Sequence, residues 1–98
     1  MKLLRYHPLF ADDVLEAAGW YEAQNPTLGV TFVERVAEAV GLVIQDPERR
    51  GTGEFGVRYW PLRKFPFVVF YDVTADAILI VGVMHTARDA EKWILRRR

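Results

Sequence analysis

Two apolar segments in the last third of the chain, joined by a short turn, constrain the fold more than any other feature. Residues 65–71 read FPFVVFY and residues 78–83 read ILIVGV, with residues 72–77 between them. Runs of this length that are rich in β-branched and aromatic side chains predict the two buried strands of a β-hairpin. The second strand passes into a loop that contains His85 and Arg88. The sheet fixes such side chains and the loop exposes them, so both residues are candidates for function.

The first half of the chain has the periodicity of helices. Apolar residues recur at helical spacing in two stretches, with Asn25-Pro26 between them and Asp46-Pro47 after the second. Thr27 is expected to cap the second helix. A short strand over residues 2–6 precedes the first helix and ends at His7-Pro8. The two apolar stripes comprise Phe10, Val14, Ala17, Ala18 and Tyr21, and then Phe32, Val36, Ala39, Val40 and Val43.

Together these segments predict one α+β domain over residues 1–98, in the order β-α-α-β-β-β, with a two-helix hairpin packed on a small antiparallel sheet. Residues 57–63 supply the remaining strand, which Pro61 should confine to a sheet edge or distort by a bulge. Residues 90–98 are expected to form a short final helix or a tail. The predicted shared core comprises Phe10, Val14, Tyr21, Phe32, Val36, Val40, Val43, Val69, Tyr71, Leu79 and Val81.

Composition excludes several classes of protein. The chain has no cysteine, which rules out a disulfide scaffold and a thiolate metal site. With only two distant histidines and no glycine-rich phosphate loop, we expect neither a metal nor a cofactor. The longest apolar run covers eight residues, 77–84. Because a membrane span needs about 20 such residues, we expect a cytoplasmic protein with no membrane segment.

Charge is divided unevenly along the chain. Residues 1–48 carry three Lys or Arg against eight Asp or Glu, whereas residues 49–98 carry ten against five. The predicted strand half is therefore basic, and it is suited to binding a phosphate backbone or an acidic protein. A dipolar surface without any partner would produce the same pattern.

Short motifs follow one another along almost the whole chain: Tyr6-His7-Pro8, Asp12-Asp13, Ala17-Ala18-Gly19-Trp20-Tyr21-Glu22, Gln24-Asn25-Pro26, Leu28-Gly29, Phe32, Asp46-Pro47, Val57-Arg58, Leu62-Arg63, Phe65-Pro66-Phe67, Val69-Phe70-Tyr71, His85, Arg88-Asp89 and Trp93. In this order, and in a chain of this length, they resemble the RelE/ParE family. Its members are the toxins of type II toxin–antitoxin modules, also described as plasmid stabilisation proteins.

The resemblance implies the family fold, a two-helix hairpin against a small curved antiparallel sheet. It also implies an antitoxin that wraps around the toxin and neutralises it. Two kinds of target stay open on this basis. RelE-like members cleave messenger RNA on the ribosome, whereas ParE-like members are described as inhibitors of DNA gyrase.

A RelE-like ribonuclease would need an acid or base near the ribose and cations around the phosphate. His85 suits the first role, and Arg58, Arg63 and Arg88 suit the second. Structural roles are the alternatives. His85 would then be a strand-end side chain bonded to a neighbouring carbonyl, and Arg88 would form an ion pair with Asp89 or Glu91.

Two features argue against a complete ribonuclease site. Arg58 and Arg63 are five positions apart, so a regular strand would point them to opposite faces. No tyrosine follows Tyr71, although RelE-type sites contain a late tyrosine. We therefore expect a ParE-like toxin that inhibits growth by binding a protein target such as DNA gyrase. A ribosome-dependent ribonuclease and an inactive relative that only binds antitoxin are the alternatives.

The residues expected to bind a partner lie in the basic half. They are Trp60, Arg58, Lys64 and Arg88. Trp60 is expected to be exposed, because an edge strand leaves one face less covered. An antitoxin segment is expected to cover a hydrophobic groove between the sheet and the helix hairpin, as a helix or an added strand. A homodimer and a hetero-oligomer with antitoxin are both compatible with the sequence.

Overall fold

The computed structural model describes residues 2–53, 56–89 and 95–96. Within them the predicted order of elements is confirmed. The predicted C-terminal helix lies outside the described residues, apart from Leu95 and Arg96. The elements are β1 (Leu3–Tyr6), α1 (Phe10–Gln24), α2 (Pro26–Gln45), β2 (Arg58–Pro61), β3 (Phe67–Val73) and β4 (Ala77–His85).

A single residue, Asn25, ends the first helix and begins the second. Its backbone N–H donates to the carbonyl of Tyr21 (3.0 Å), and its side-chain oxygen accepts the N–H of Thr27 (3.0 Å). Pro26 occupies the first helical position, where its missing N–H costs nothing. The N-cap is therefore Asn25 rather than Thr27, because Pro26 already belongs to α2.

The sheet has the order β1-β4-β3-β2. The pairs β2–β3 and β3–β4 are antiparallel, but β1 runs parallel to β4, so the sheet is mixed rather than purely antiparallel. The long helical connection lets the first strand join the last one in parallel. β2 is an edge strand and Pro61 is its last residue, as the missing N–H of proline requires.

An irregularity in the β3–β4 pair changes the facing of β4. Phe70 lies opposite Gly82 and Tyr71 opposite Ile80, which leaves Val81 as an extra residue. Ile80 and then Val83 therefore face the helices. The prediction that Leu79 and Val81 share the main core is wrong, because alternation was extended without this irregularity. Both belong to a second cluster, with Val57, Tyr59, Phe70 and Met84.

The main core lies between the helix hairpin and the sheet. The other nine predicted core residues belong to it, six of them buried and Phe10, Val14 and Tyr21 partly buried. Phe32 has no exposed surface and packs against the rings of Tyr21, Phe65 and Phe67 at centroid distances of 5.5, 5.1 and 5.0 Å. Among the described residues, no helix is long and apolar enough to cross a membrane.

A buried ion pair joins α1 to the end of the chain. Arg96 forms a bidentate pair with Asp13, with 2.8 Å between Nη2 and Oδ1, and the side chains are 11% and 10% exposed. This bond raises the pKa of Arg96. Oδ2 of Asp13 also accepts the backbone N–H of Val83 (3.1 Å), beyond the point where β1 stops pairing with β4. Asp13 therefore satisfies a strand N–H that has no strand partner.

Candidate functional site

His85 ends β4 and is fixed by the turn that follows. Its Nδ1 accepts the backbone N–H groups of Ala87 (3.1 Å) and Arg88 (3.2 Å), and the backbone N–H of His85 donates to Oδ2 of Asp89 (2.9 Å). The ring packs edge-on against Phe67 at 5.2 Å between centroids. With Nδ1 an acceptor, the proton of the neutral ring is on Nε2. His85 thus bonds neighbouring amides rather than the carbonyl expected from the sequence.

Arg58 lies far from His85 in the sheet. Arg58 is opposite Tyr71 on one side of β3, whereas His85 is opposite Phe67 on the other side. Four residues of strand separate these positions, about 13 Å, and β2 and β4 lie about 10 Å apart across β3. The Arg58 guanidinium donates to the backbone carbonyls of Glu48 and Arg50. The two predicted ribonuclease residues are therefore not brought together.

Arg63 lies beyond the end of β2, at the same end of the sheet as His85. Its Nε and Nη2 donate to the two carboxylate oxygens of Glu38 on α2, at 2.6 and 2.9 Å. These bonds lower the pKa of Glu38 and raise the pKa of Arg63. The neighbouring Lys64 is exposed and has a left-handed backbone (φ 72°), which is unusual for a non-glycine residue.

The prediction that Trp60 is exposed is wrong. Only 8% of Trp60 is accessible, and its side chain belongs to the main core. The guanidinium of Arg50 covers the ring at 4.9 Å from the centroid. Edge position in the sheet uncovers the backbone of β2, but α2 covers the inward face, and Trp60 points to that face.

A cleft of about 210 Å³ opens between α1 and the end of β4. Trp20, which is 57% exposed, and the exposed Arg88 both line it, together with Glu16 and Tyr21. Burial raises the pKa of Tyr21, and the charge of Arg88 opposes part of that rise. Arg88 forms no ion pair with any other described residue, so the alternative of a pair with Asp89 is absent, and Glu91 lies outside the described residues. The cleft thus combines an exposed indole with an available guanidinium.

From the sequence, Trp20 is named only within a motif and is not identified as a surface residue. The relevant signal was present in the chain. Trp20 lies outside the apolar stripe of α1, and its ring is nearly perpendicular to that of Tyr21, with 5.1 Å between centroids. Helical periodicity applied strictly would have placed Trp20 at the margin of the core.

A second concavity, an apolar groove of about 560 Å³, lies between α1 and α2. Apart from Tyr6 of β1, all of its lining residues lie on α1 and α2. The groove therefore lies between the two helices, whereas the sequence led us to expect a groove between the hairpin and the sheet. Large apolar side chains on its walls are substantially exposed, with Tyr6 at 47%, Leu15 at 69%, Val33 at 45% and Ile44 at 45%. Contiguous exposed apolar surface of this kind marks interaction sites on soluble proteins.

Across residues 2–53, 56–89 and 95–96, no group of three or more His, Asp or Glu side chains is placed to hold a metal ion. The helix hairpin thus presents two concavities, an apolar groove on one side of α1 and an aromatic, charged cleft on the other.

Comparison with known proteins agrees with the motifs. Residues 4–90 match the family model described as ParE toxin of type II toxin-antitoxin system, parDE. A solved structure of the chromosomal ParDE TA system from P. aeruginosa is similar in fold, with a TM-score of 0.75 and 22% identity. The match covers 87% of this chain and 96% of that chain. A search of curated proteins finds no match.

Proposed function

Because the chain belongs to the ParE toxin family of type II toxin–antitoxin systems, we propose that it arrests growth by binding a protein target such as DNA gyrase and that a cognate antitoxin neutralises it. The observation that supports this proposal is that the helix hairpin presents two exposed concavities, whereas Arg58 lies far from the other ribonuclease candidates. Both surfaces lie on the helix hairpin and its junction with the sheet.

Target binding is assigned to the cleft. Trp and Arg are enriched among residues that dominate protein–protein binding energy, and they act best in a concavity that a partner side chain can fill. Trp20 and Arg88 meet this description. Antitoxin binding is assigned to the apolar groove, because an amphipathic segment laid into such a groove buries several anchors at once.

The ribonuclease alternative keeps one supporting observation. His85 and Arg88 lie in the same turn, and Arg63 lies at the same end of the sheet. Against it, Arg58 is at the other end and Arg63 is engaged by Glu38. An inactive relative that only binds antitoxin would use the groove alone.

Induction of the chain without antitoxin separates these functions. We expect growth arrest with blocked DNA replication, loss of supercoiling by purified gyrase in the presence of the chain, and messenger RNA that stays intact at early times. Primer extension on abundant transcripts is the direct measurement. If induction caused prompt cuts within codons, and these cuts were absent on induction of the His85→Ala or Arg88→Ala variant, the ribonuclease function would be supported and this proposal would be wrong. No arrest at matched expression would favour the inactive relative.

A further inference from the structure

The two helices that form the apolar groove carry an excess of negative charge. The two helices carry six carboxylates and one basic residue, Arg35. Two of the carboxylates are neutralised, Asp13 by Arg96 and Glu38 by Arg63 and Arg35. The other four form no ion pair with any described residue and are exposed. They are Asp12, Glu16, Glu22 and Glu34.

Two of these unpaired carboxylates adjoin the groove itself. Asp12 follows Ala11 and lies three positions before Leu15, and Glu34 follows Val33 and lies three positions before Ala37. Residues three apart on a helix are neighbours on its surface, so each helix places one carboxylate beside the groove. The groove is thus apolar inside and acidic on both margins.

A second copy of this chain is a poor occupant of the groove. Two hairpins packed groove to groove would bring their unpaired carboxylates together, and like charges across an interface are repulsive. An acidic segment meets the same repulsion. The favoured occupant must supply apolar anchors in its middle and positive charge at its flanks.

We propose that the groove binds an amphipathic helix of a protein partner whose apolar face is flanked by lysine or arginine. Three small residues, Ala11, Ala37 and Gly41, are exposed in the groove, and a Cβ added to Gly41 would meet nothing within 4 Å. Small residues permit close approach of a helix. The α2 wall from Val33 to Ile44 rises about 17 Å, which matches three turns of a bound helix with anchors at i, i+4, i+7 and i+11.

This inference deepens the proposed function, on which it rests only in assuming that protein partners bind here. It differs from the expectation of an acidic partner on the basic strand half. Acidic segments would be directed to the sheet and basic helices to the hairpin. The charge preference of the groove can fail while growth arrest and neutralisation by antitoxin both hold.

The test uses two designed helical peptides of about 18 residues that share one leucine pattern and differ only in lysine or glutamate at the flanking positions. Fluorescence anisotropy with the full chain measures both affinities at low and high salt. We expect the lysine peptide to bind roughly tenfold more tightly at low salt, with a smaller ratio at high salt because exposed charges are screened. Equal affinities, tighter binding of the glutamate peptide, or binding of neither would overturn the proposal.

Variants locate the effect on the protein. Asp12→Lys combined with Glu34→Lys should invert the peptide preference, whereas Asp76→Lys in the β3–β4 turn should leave it unchanged. Leu15→Glu should reduce the affinity for the lysine peptide by roughly tenfold or more. Leu42→Glu, at an exposed apolar residue of α2 outside the groove, is its matched control. Thermal melts check that each variant is folded. An unchanged peptide preference in the variant that combines Asp12→Lys and Glu34→Lys would contradict the placement of these two carboxylates beside the groove.

Discussion

Asp13 shows how much one side chain holds together at the residue scale. Its carboxylate accepts the N–H of Val83 and both terminal nitrogens of Arg96, so it links α1, β4 and the end of the chain. Both charged partners are about nine-tenths buried. A carboxylate in that setting is stable only while its partners remain, because an unpaired buried charge is costly.

Removing Arg96 should therefore destabilise the protein markedly. We expect Arg96→Met to lower the free energy of unfolding by about 2 to 4 kcal/mol, because Asp13 is left without its cation. Asp13→Ala together with Arg96→Met should cost less than the sum of the single changes. Urea titrations of the three variants form the cycle. Strict additivity would mean that the pair is not coupled in solution.

Phe32 carries a second prediction at this scale. Its fully buried ring contacts three other aromatic rings, so Phe32→Ala should lower the free energy of unfolding by about 3 to 5 kcal/mol. The neighbouring Val33 is 45% exposed and serves as the control, since Val33→Ala should cost far less. A loss below about 1 kcal/mol for Phe32→Ala would mean that the inward face of α2 is misassigned.

At the scale of elements, periodicity and turn chemistry predicted most of the fold. The helix stripes, the breaks at Asn25-Pro26 and Asp46-Pro47, and the hairpin all follow from local spacing. Local spacing predicts neither the irregularity at Val81 nor the parallel pairing of β1 with β4. Because of the irregularity, Leu79 faces the second cluster, whereas regular alternation would have placed it in the main core. The predicted exposure of Trp60 is wrong for a related reason: the sequence indicates that β2 is an edge strand, but it does not indicate that α2 covers the inward face of that strand. The cleft depends on long-range packing, so Arg88 alone among its lining residues was a predicted site residue.

Gly82 tests the irregular part of β4. A Cβ at this position would lie 2.5 Å from Nη1 of Arg96 and 2.8 Å from Oδ2 of Asp13. We expect Gly82→Ala to displace Arg96 and cost about 1 to 3 kcal/mol. The cost should shrink in an Arg96→Met background. Gly19→Ala on α1 meets nothing within 4 Å and should stabilise by up to about 1 kcal/mol. Thermal or urea unfolding of Gly82→Ala, Arg96→Met, their combination and Gly19→Ala, each compared with the unaltered chain, decides whether the close approach at Gly82 is real.

On the scale of the whole molecule, α1 separates two surfaces. Ala11, Val14 and Leu15 line the groove, whereas Glu16 and Trp20 line the cleft. The acidic hairpin thus presents apolar side chains on one side of α1 and an aromatic residue beside Arg88 on the other. Under the proposed function, one of these surfaces would bind the antitoxin and the other the target.

Arg88 provides the test of the cleft as the target-binding surface. Arg88→Glu should reduce growth arrest after induction, because it removes an exposed guanidinium that no described residue pairs and adds charge beside Glu16. The fold should survive, since the side chain is exposed in a turn. Arg49→Glu, at an exposed arginine in the loop after α2, is the matched control and should arrest growth like the unaltered chain. Growth curves at equal protein level, with a thermal melt of each variant, give the comparison.

Trp20→Ala should behave as Arg88→Glu does, because a partner side chain in the cleft would contact both Trp20 and Arg88. Full arrest by Arg88→Glu and Trp20→Ala would show that the target binds elsewhere on the molecule.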